Sequence, residues 1–213
     1  MSPSSSNSST SAYDKRFIAL RYYLHGRKYL EALKAFSYAR THHTGKRKDG
    51  SPEFQHQVDI ALYLTTLKDI RDEEKTLAVA LLHDVVEDYN VLKNFNEVFD
   101  KDIVDCVWLL TKPGSKGRSA EPLTPESKKE YFDRIAEDRI ASLVKGADRI
   151  NNVQTMGGAF SKEKQKLYVE EVEQYFLPMI KKALNNFPEQ APAYFNISHM
   201  LKSQIALIKP NLP

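Results

Sequence analysis

Four side chains that are charged or can become charged interrupt an apolar segment of this chain. The segment LLHDVVEDYN, residues 81–90, contains His83, Asp84, Glu87 and Asp88. Removing a carboxylate or an imidazole from water without a partner is costly, so these residue types in an apolar helix need something to bind. On a helix, residues four apart lie one above the other, which stacks His83 with Glu87 and Asp84 with Asp88. We therefore expect this helix face to bind a divalent cation.

Two distant residues could complete a metal site. His56 follows the loop of residues 45–52 at the start of a predicted helix, and Asp148 lies in the apolar helix ASLVKGADRINNV. Two imidazoles and two carboxylates suit manganese or another divalent ion with water completing its coordination. Each residue alone has an ordinary explanation: a solvated helix end, a helix-start histidine, or an ion pair of Asp148 with Lys145 or Arg149. The combination favours the metal site.

Asp148, Asn152 and Thr155 form a polar stripe along one helix, because a spacing of i, i+4 and i+7 places them on one face. The stripe could form the floor of a pocket or the solvated face of the helix. Periodicity leaves both interpretations open.

A loop rich in lysine and glycine, residues 111–121, contains Lys112, Lys116 and Arg118. We expect this loop to contact phosphate, since a phosphorylated substrate needs cations around it. A basic loop that only meets solvent is an equally good explanation.

Helical spacing runs through almost every long segment, with no alternating strand pattern. The sequence predicts an all-α helical bundle, with Asp72 capping a central helix that is apolar on all sides over residues 77–82. Thr124 and Pro125 predict another helix start, and Pro178 a kink. Further helices are predicted over residues 14–23, 29–42, 56–67, 103–110, 140–156, 169–187 and 193–208, with breaks at Gly26, Gly45 and Gly157.

The composition predicts one globular domain. The chain has 213 residues, 41% of them hydrophobic, and no apolar run approaches the roughly 20 residues that span a bilayer. Residues 1–12 are serine-rich and lack the features of a signal peptide, so we expect a disordered tail before a domain over residues 13–213. Cys106 is the only cysteine, which excludes an internal disulfide and favours a cytoplasmic location.

Positive charge is concentrated near the N-terminus. The net charge is only +3, but residues 13–50 contain ten Lys or Arg against three Asp or Glu. Such a patch could face a phosphorylated small molecule, nucleic acid or solvent. Because no base-reading motif accompanies it, we do not expect nucleic acid as a partner. The oligomeric state stays open.

Three ordered blocks, GKRKDGSPEFQH, ALLHDVVED and VKGADRINNVQT, resemble the metal-dependent HD hydrolase domain of the RelA/SpoT family and its stand-alone small alarmone hydrolases. The resemblance spans residues 29–184, and three motifs in order are far more specific than one. It implies a single-domain helical bundle of the HD-hydrolase type. It also implies a manganese-dependent 3′-pyrophosphohydrolase of the stringent response. Its substrate would be a small-molecule nucleotide, a guanosine tetra- or pentaphosphate alarmone, and its products pyrophosphate and GDP or GTP.

The same resemblance implies roles for individual residues. One divalent ion, typically manganese, would have as ligands His56, His83, Asp84 and Asp148. Glu87 and Asp88 would position or deprotonate the attacking water. The residues implied near the base are Arg47 and Lys48, and those beside the ribose are Asn152 and Thr155.

The chain departs from the family pattern at four positions. Glu53 stands where the family usually has tyrosine, and Gln57 where it has proline. Asn151 and Gln154 replace a histidine and an arginine, which removes positive charge that we expect near the nucleotide. None of the four is an implied metal ligand, so the departures bear on the substrate rather than on the metal.

Two other functions are compatible with the sequence. An HD phosphohydrolase could release phosphate from another nucleotide or a dinucleotide cofactor, and a non-catalytic alarmone binder could have kept the fold. The products distinguish them: pyrophosphate from the first function, orthophosphate from the second, and no turnover from the third.

Overall fold

A computed structural model describes residues 12–48, 50–89, 92–112 and 124–213, and this part of the chain is helical, without a β-strand. The predicted all-α bundle is confirmed. One antiparallel bridge within it pairs Lys46 with Pro52. The α-helices are α1 (Ala12–Arg27), α2 (Leu30–His42), α3 (Glu53–Thr65), α4 (Glu73–Leu82), α5 (Val85–Asp88), α6 (Leu92–Val98), α7 (Lys101–Leu110), α8 (Pro125–Ile135), α9 (Arg139–Thr155), α10 (Lys162–Glu171), α11 (Leu177–Asn186) and α12 (Ala191–Ile208).

α4 lies at the centre of the bundle. Residues 76–82 are buried, and the helix packs against α2, α3, α7 and α9. A helix that is apolar around its whole circumference avoids water only when other elements enclose it, so the prediction for residues 77–82 is confirmed. This enclosure buries the next residue, His83, and leaves Asp84 half-buried beside it.

α9 is the second buried helix. The Asp138 side chain caps it by accepting hydrogen bonds from the amides of Ile140 and Ala141. The helix packs against α3, α4 and α12. Gly146 permits the close approach to α12, because a Cβ at this position would lie 2.7 Å from the Cγ2 of Ile197. α9 thereby places Asp148 in the interior beside α3 and α4.

Some helix boundaries differ from the prediction. α1 continues through Gly26, and the chain turns instead at Lys28, where φ is 58°. α4 begins after Asp72 as predicted, but this side chain does not cap the helix and pairs with Arg139. Thr124 does cap α8, since its side chain accepts a hydrogen bond from the Ser127 amide. The sequence pattern did not predict the seven-residue helix α6.

Near Pro178, where the sequence predicts a kink, the helix contains a widened turn. In place of one helix over residues 169–187, α10 and α11 are joined by a π-helical turn at Val172–Phe176. Proline has no amide hydrogen to donate to the preceding turn, and a wider turn accommodates the missing hydrogen bond.

The predicted disordered tail falls outside the described residues except for Ala12, which belongs to α1. The domain boundary at residue 13 stays a prediction. None of the helices within the described ranges is both long and apolar enough to cross a bilayer.

Candidate metal centre

His83 and Asp84 lie at a junction between two helices. α4 ends at Leu82 and α5 begins at Val85, so the continuous helix expected here is interrupted. Both residues keep right-handed helical backbone angles, and the Asp88 amide donates to the Asp84 carbonyl at 2.9 Å. The expected proximity of these two aspartates along the backbone is therefore present despite the interruption.

Two imidazoles and two carboxylates from three segments of the chain meet at this junction. The Nε2 of His56 on α3 lies 3.3 Å from Asp148 Oδ1 and 3.6 Å from Asp84 Oδ2. The Nε2 of His83 lies 3.1 Å from Asp84 Oδ2 and 3.8 Å from Asp148 Oδ1. Neighbouring ligands around a small divalent ion lie about 3 Å apart when the metal–oxygen distance is about 2.1 Å. The four residues predicted as ligands thus come together at a spacing that suits such an ion.

The hydrogen bonds behind the imidazoles identify the nitrogens that face the carboxylates. His56 Nδ1 is 2.7 Å from Asn151 Oδ1, and His83 Nδ1 is 2.8 Å from the Ala80 carbonyl. Because both oxygens only accept, both Nδ1 atoms carry hydrogen, and in the neutral rings the Nε2 lone pairs face Asp84 and Asp148. His83 Nε2 is buried without a hydrogen-bond partner in the described residues. A lone pair buried against a carboxylate needs a positive charge between the two, so this arrangement fits a cation.

The electrostatics of the cluster also favour a positive charge. Burial lowers the pKa of His83, but the carboxylates of Asp84 and Asp148 outweigh it and raise the pKa to about 10. For the carboxyl of Asp148 burial acts in the opposite direction and raises the pKa. The Lys145 ammonium and the two imidazoles nevertheless hold this pKa well below its usual range. Without a metal, a proton would therefore occupy the place that the geometry offers to a cation.

The two oxygens of Asp148 have different neighbours. Oδ1 faces the imidazoles and accepts a hydrogen bond from Asn152 Nδ2. Oδ2 lies 3.5 Å from the Nζ of Lys145, which is buried. The sequence analysis named this ion pair as the ordinary explanation of Asp148, and the structure contains both the pair and the cluster of histidines.

His56, Asp84 and Asp148 form the floor of a cleft of about 280 Å³, which we call the metal cleft. His83 is buried and does not line it. Both acids expected to act on water line it. Partial burial, together with the negative charges of Asp84, Glu87 and Glu53, raises the pKa of Asp88 to about 6. Glu87 accepts a hydrogen bond from the Lys112 amide at 3.3 Å. The two neighbouring acids therefore have different environments.

A second cleft of about 260 Å³ adjoins the first and shares Arg47, Asn152 and Tyr168 with it. The Arg47 guanidinium donates to Asn152 Oδ1 at 3.0 Å. The Lys48 ammonium lies 5.6 Å from the centroid of the Phe160 ring. The four residues predicted near the nucleoside all line this cleft: Arg47, Lys48, Asn152 and Thr155. The polar stripe of α9 therefore faces pockets rather than open solvent.

The predicted phosphate-binding loop is described only in part. Lys112 lines the metal cleft, with its ammonium 3.9 Å from Glu87 Oε1. Lys116 and Arg118 lie outside the described residues, so their part in the prediction stays open.

The four residues that depart from the family pattern lie in different surroundings. Asn151 is buried against His56, and Gln154 lines a different cleft near Gln204. Neither residue lines either of the two clefts described above, and the expectation that these two replacements remove charge beside the nucleotide stays a prediction. Glu53 and Gln57 do line the metal cleft, and the Gln57 amide lies 3.4 Å from Asp84 Oδ2.

Sequence reasoning missed three residues of the clefts. Tyr168 lines both clefts, and Phe160 packs against it with the ring centroids 5.1 Å apart. His43 lines the metal cleft and is buried, whereas its neighbour His42 is only half-buried. No spacing in the sequence distinguishes these residues from ordinary aromatic and helix-end residues.

Comparison with known proteins places the chain among HD proteins. The HD domain family matches residues 35–183. The GTP pyrophosphokinase rsh of Brucella melitensis is 34% identical over 154 residues, which are 70% of this chain and 20% of the relative. The guanosine-3′,5′-bis(diphosphate) 3′-pyrophosphohydrolase of Aquifex aeolicus is 30% identical over 151 residues, 70% of this chain and 21% of the relative. The chain thus spans about a fifth of the length of these relatives.

A solved structure has the same fold. It is a metazoan ortholog of SpoT that hydrolyzes ppGpp, and it superposes with a TM-score of 0.64 at 20% identity over 82% of this chain and 95% of its own. The helical bundle of the HD-hydrolase type is therefore confirmed. Together with the sequence match over residues 35–183, this shows that the chain belongs to the HD domain family.

Proposed function

We propose that this protein hydrolyses the 3′ diphosphate of guanosine tetra- or pentaphosphate, with release of pyrophosphate and GDP or GTP, and that one manganese ion serves the reaction. The observation that carries the proposal is the meeting of His56, His83, Asp84 and Asp148, three of which form the floor of a cleft. Two acids lie beside this floor, and a cleft with cations and aromatic rings adjoins it.

The four clustered residues would hold the metal. Imidazole nitrogens and carboxylate oxygens are the ligands that Mn²⁺ and similar ions accept, and no thiolate is near the cluster in the described residues. A bound divalent ion lowers the pKa of water from 15.7 towards about 7 and neutralises charge on phosphate oxygens.

Asp88 is the acid best suited to accept a proton from the attacking water. Without a metal, its raised pKa of about 6 makes it a stronger base than an ordinary aspartate. A bound divalent ion would lower this pKa and keep the carboxylate ionised near neutral pH. Glu87, which accepts a hydrogen bond from the Lys112 amide, would instead fix the start of the loop that follows α7. This assignment divides the two roles that the sequence left shared between the acids.

The second cleft would receive the nucleoside. Its aromatic rings, Phe160 and Tyr168, offer faces for a base, and Arg47 lies where the two clefts join. With Lys112 at the metal cleft, cations are present at both ends of a bound nucleotide. The name of the Aquifex relative and the ppGpp hydrolysis by the SpoT ortholog support this substrate class.

Product analysis tests the proposal. Native protein with Mn²⁺ should release pyrophosphate from ppGpp, and EDTA should abolish the release. Asp84→Asn should lower the rate at least a hundredfold and lose stoichiometric manganese, because it removes one charged ligand. Asp105→Asn, on the exposed face of α7, serves as the matched control and should behave as native.

Two outcomes would contradict the proposal. Orthophosphate as the product, from ppGpp or from another nucleotide, would favour the alternative phosphohydrolase. Tight ppGpp binding without turnover in the manganese-loaded native protein would favour a binding protein.

A further inference from the structure

Lys145 is a buried cation next to the candidate metal centre. Its side chain is 4% exposed, and the residue lines the metal cleft. A buried ammonium is costly unless a partner compensates its charge. Within the described residues its ion pair is with Asp148, at 3.5 Å from Nζ to Oδ2.

Because of the position of this ammonium, the two oxygens of the Asp148 carboxylate have different partners. Oδ1 points to His56 and His83 and accepts a hydrogen bond from Asn152. Oδ2 is turned to Lys145. Because each oxygen has its own partners, rotation about the last torsion of the side chain would break both sets of contacts.

We propose that Lys145 is a positioning residue that keeps Asp148 a one-oxygen ligand of the metal. Carboxylates bind hard cations through one oxygen or through both, and the second mode uses an additional coordination position. By holding Oδ2, Lys145 leaves that position open for water or a substrate phosphate. The inference rests on the proposed function only in one respect, that water or substrate phosphate occupies the open coordination position.

The same ammonium opposes metal binding. Two positive charges a few ångströms apart repel each other, most strongly where little water screens them. Removing the Lys145 charge should therefore strengthen manganese binding while it slows turnover. A residue with a purely structural role would not separate these two quantities in opposite directions.

Three variants of the 213-residue chain test the inference. Lys145→Met has similar length and no charge, and an apolar side chain is acceptable at a buried position. Lys145→Arg keeps the charge. Lys182→Met is the matched control, since Lys182 is half-exposed and pairs with Asp133 and Glu137.

The expected result combines titration with Mn²⁺ and steady-state kinetics. Lys145→Met should bind one manganese at least as tightly as native, with kcat lowered at least tenfold and KM within twofold. Lys145→Arg should recover part of kcat, and Lys182→Met should match native. Weaker manganese binding by Lys145→Met, or native kcat, would overturn the inference.

A readout without substrate separates this inference from the proposed function. In crystals of the manganese-loaded proteins grown without nucleotide, Asp148 should bind through one oxygen in native protein and through both in Lys145→Met. One-oxygen binding in both proteins would overturn the role of Lys145 even if ppGpp were hydrolysed. If native protein released no pyrophosphate, the proposed function would fail, while the difference in coordination would still support the role of Lys145.

Discussion

At the scale of single residues, the orientation of the two candidate ligand imidazoles depends on the groups behind them. His83 is oriented by a backbone carbonyl, that of Ala80, which no substitution removes. His56 is oriented by a side chain, the amide of Asn151, at 2.7 Å. Partners of this kind fix the tautomer of a ligand histidine and aim its other nitrogen at the metal. The orientation of His56 is therefore the one that mutation can test.

Replacing Asn151 with Ala should weaken manganese binding about 10- to 100-fold, the usual effect of losing a hydrogen bond behind a ligand. The ring of His56 could then rotate, although no candidate ligand has changed. Calorimetric titration with Mn²⁺ measures the effect. Asn196→Ala, which removes an exposed hydrogen bond to Tyr63, is the matched control. Unchanged affinity in Asn151→Ala would show that the rest of the pocket holds the ring.

Residue types alone indicate the centre of the site but not its surroundings. His83, Asp84 and Asp148 are recognisable in the sequence because ionisable groups in apolar helices need partners. Asn151, Tyr168 and His43 carry no such signal, since an amide, an aromatic ring and a helix-end histidine are common everywhere. Their roles depend on contacts between segments far apart in the chain, which local spacing does not contain.

At the scale of helices, the site depends on how closely α9 packs against its neighbours. Gly146 lies two residues before Asp148 in α9, and a Cβ at Gly146 would lie 2.7 Å from Ile197 and 3.0 Å from Ile180. The Cγ2 methyl of Ile197 is attached to a stiff, branched carbon and cannot easily turn away. α9 can approach α11 and α12 this closely only with glycine at this position.

Gly146→Ala should therefore destabilise the protein by about 1 kcal/mol. Overpacking costs about 1–3 kcal/mol, and the better helix propensity of alanine returns up to about 1 kcal/mol. Thermal unfolding should show a lower Tm. Gly26→Ala in α1, where a Cβ meets nothing within 4 Å, should leave Tm unchanged or raise it. A native Tm for Gly146→Ala would mean that α9 can shift without cost.

Most helices could be predicted because an apolar stripe or an apolar circumference indicates burial. The residues of α4 and α9 are such cases. The break between α4 and α5 could not be predicted, since His83 and Asp84 keep helical backbone angles and neither position is a glycine or a proline. Asp72 has the residue type of a cap, but a distant arginine, Arg139, is its partner. In both places tertiary contacts override the local pattern.

At the scale of the whole molecule, folding stability is coupled to the protons that buried groups bind. Burial lowers the pKa of His43 from 6.5 to about 4, and the charges of Asp84 and Glu53, which favour protonation, do not compensate. His43 Nε2 is buried without a hydrogen-bond partner in the described ranges. Below pH 6.5 the unfolded chain therefore binds a proton at this residue that the folded chain does not bind.

Stability should fall as the pH drops from 7 to 5, by about 2 kcal/mol from His43 alone, since one pKa unit corresponds to about 1.4 kcal/mol. This contribution is complete above pH 6.5 and is lost by about pH 4. Urea unfolding with EDTA at the two pH values measures it. In His43→Leu the decrease should be smaller by that amount. His42 is a half-buried neighbour bonded to Tyr38, and His42→Leu should show the full decrease of the native protein. Equal decreases in all three proteins would contradict the prediction.

The hydrogen bonds that close the site join residues far apart in the sequence, 105 positions for Arg47 and Asn152 and 95 for His56 and Asn151. A ribosome that has not yet translated α9 therefore carries a nascent chain with both histidines but without Asp148. Such an unfinished polypeptide has an incomplete set of metal-binding groups, however well its first helices have folded. Any enzymatic capacity must wait until α9 has left the exit tunnel and docked.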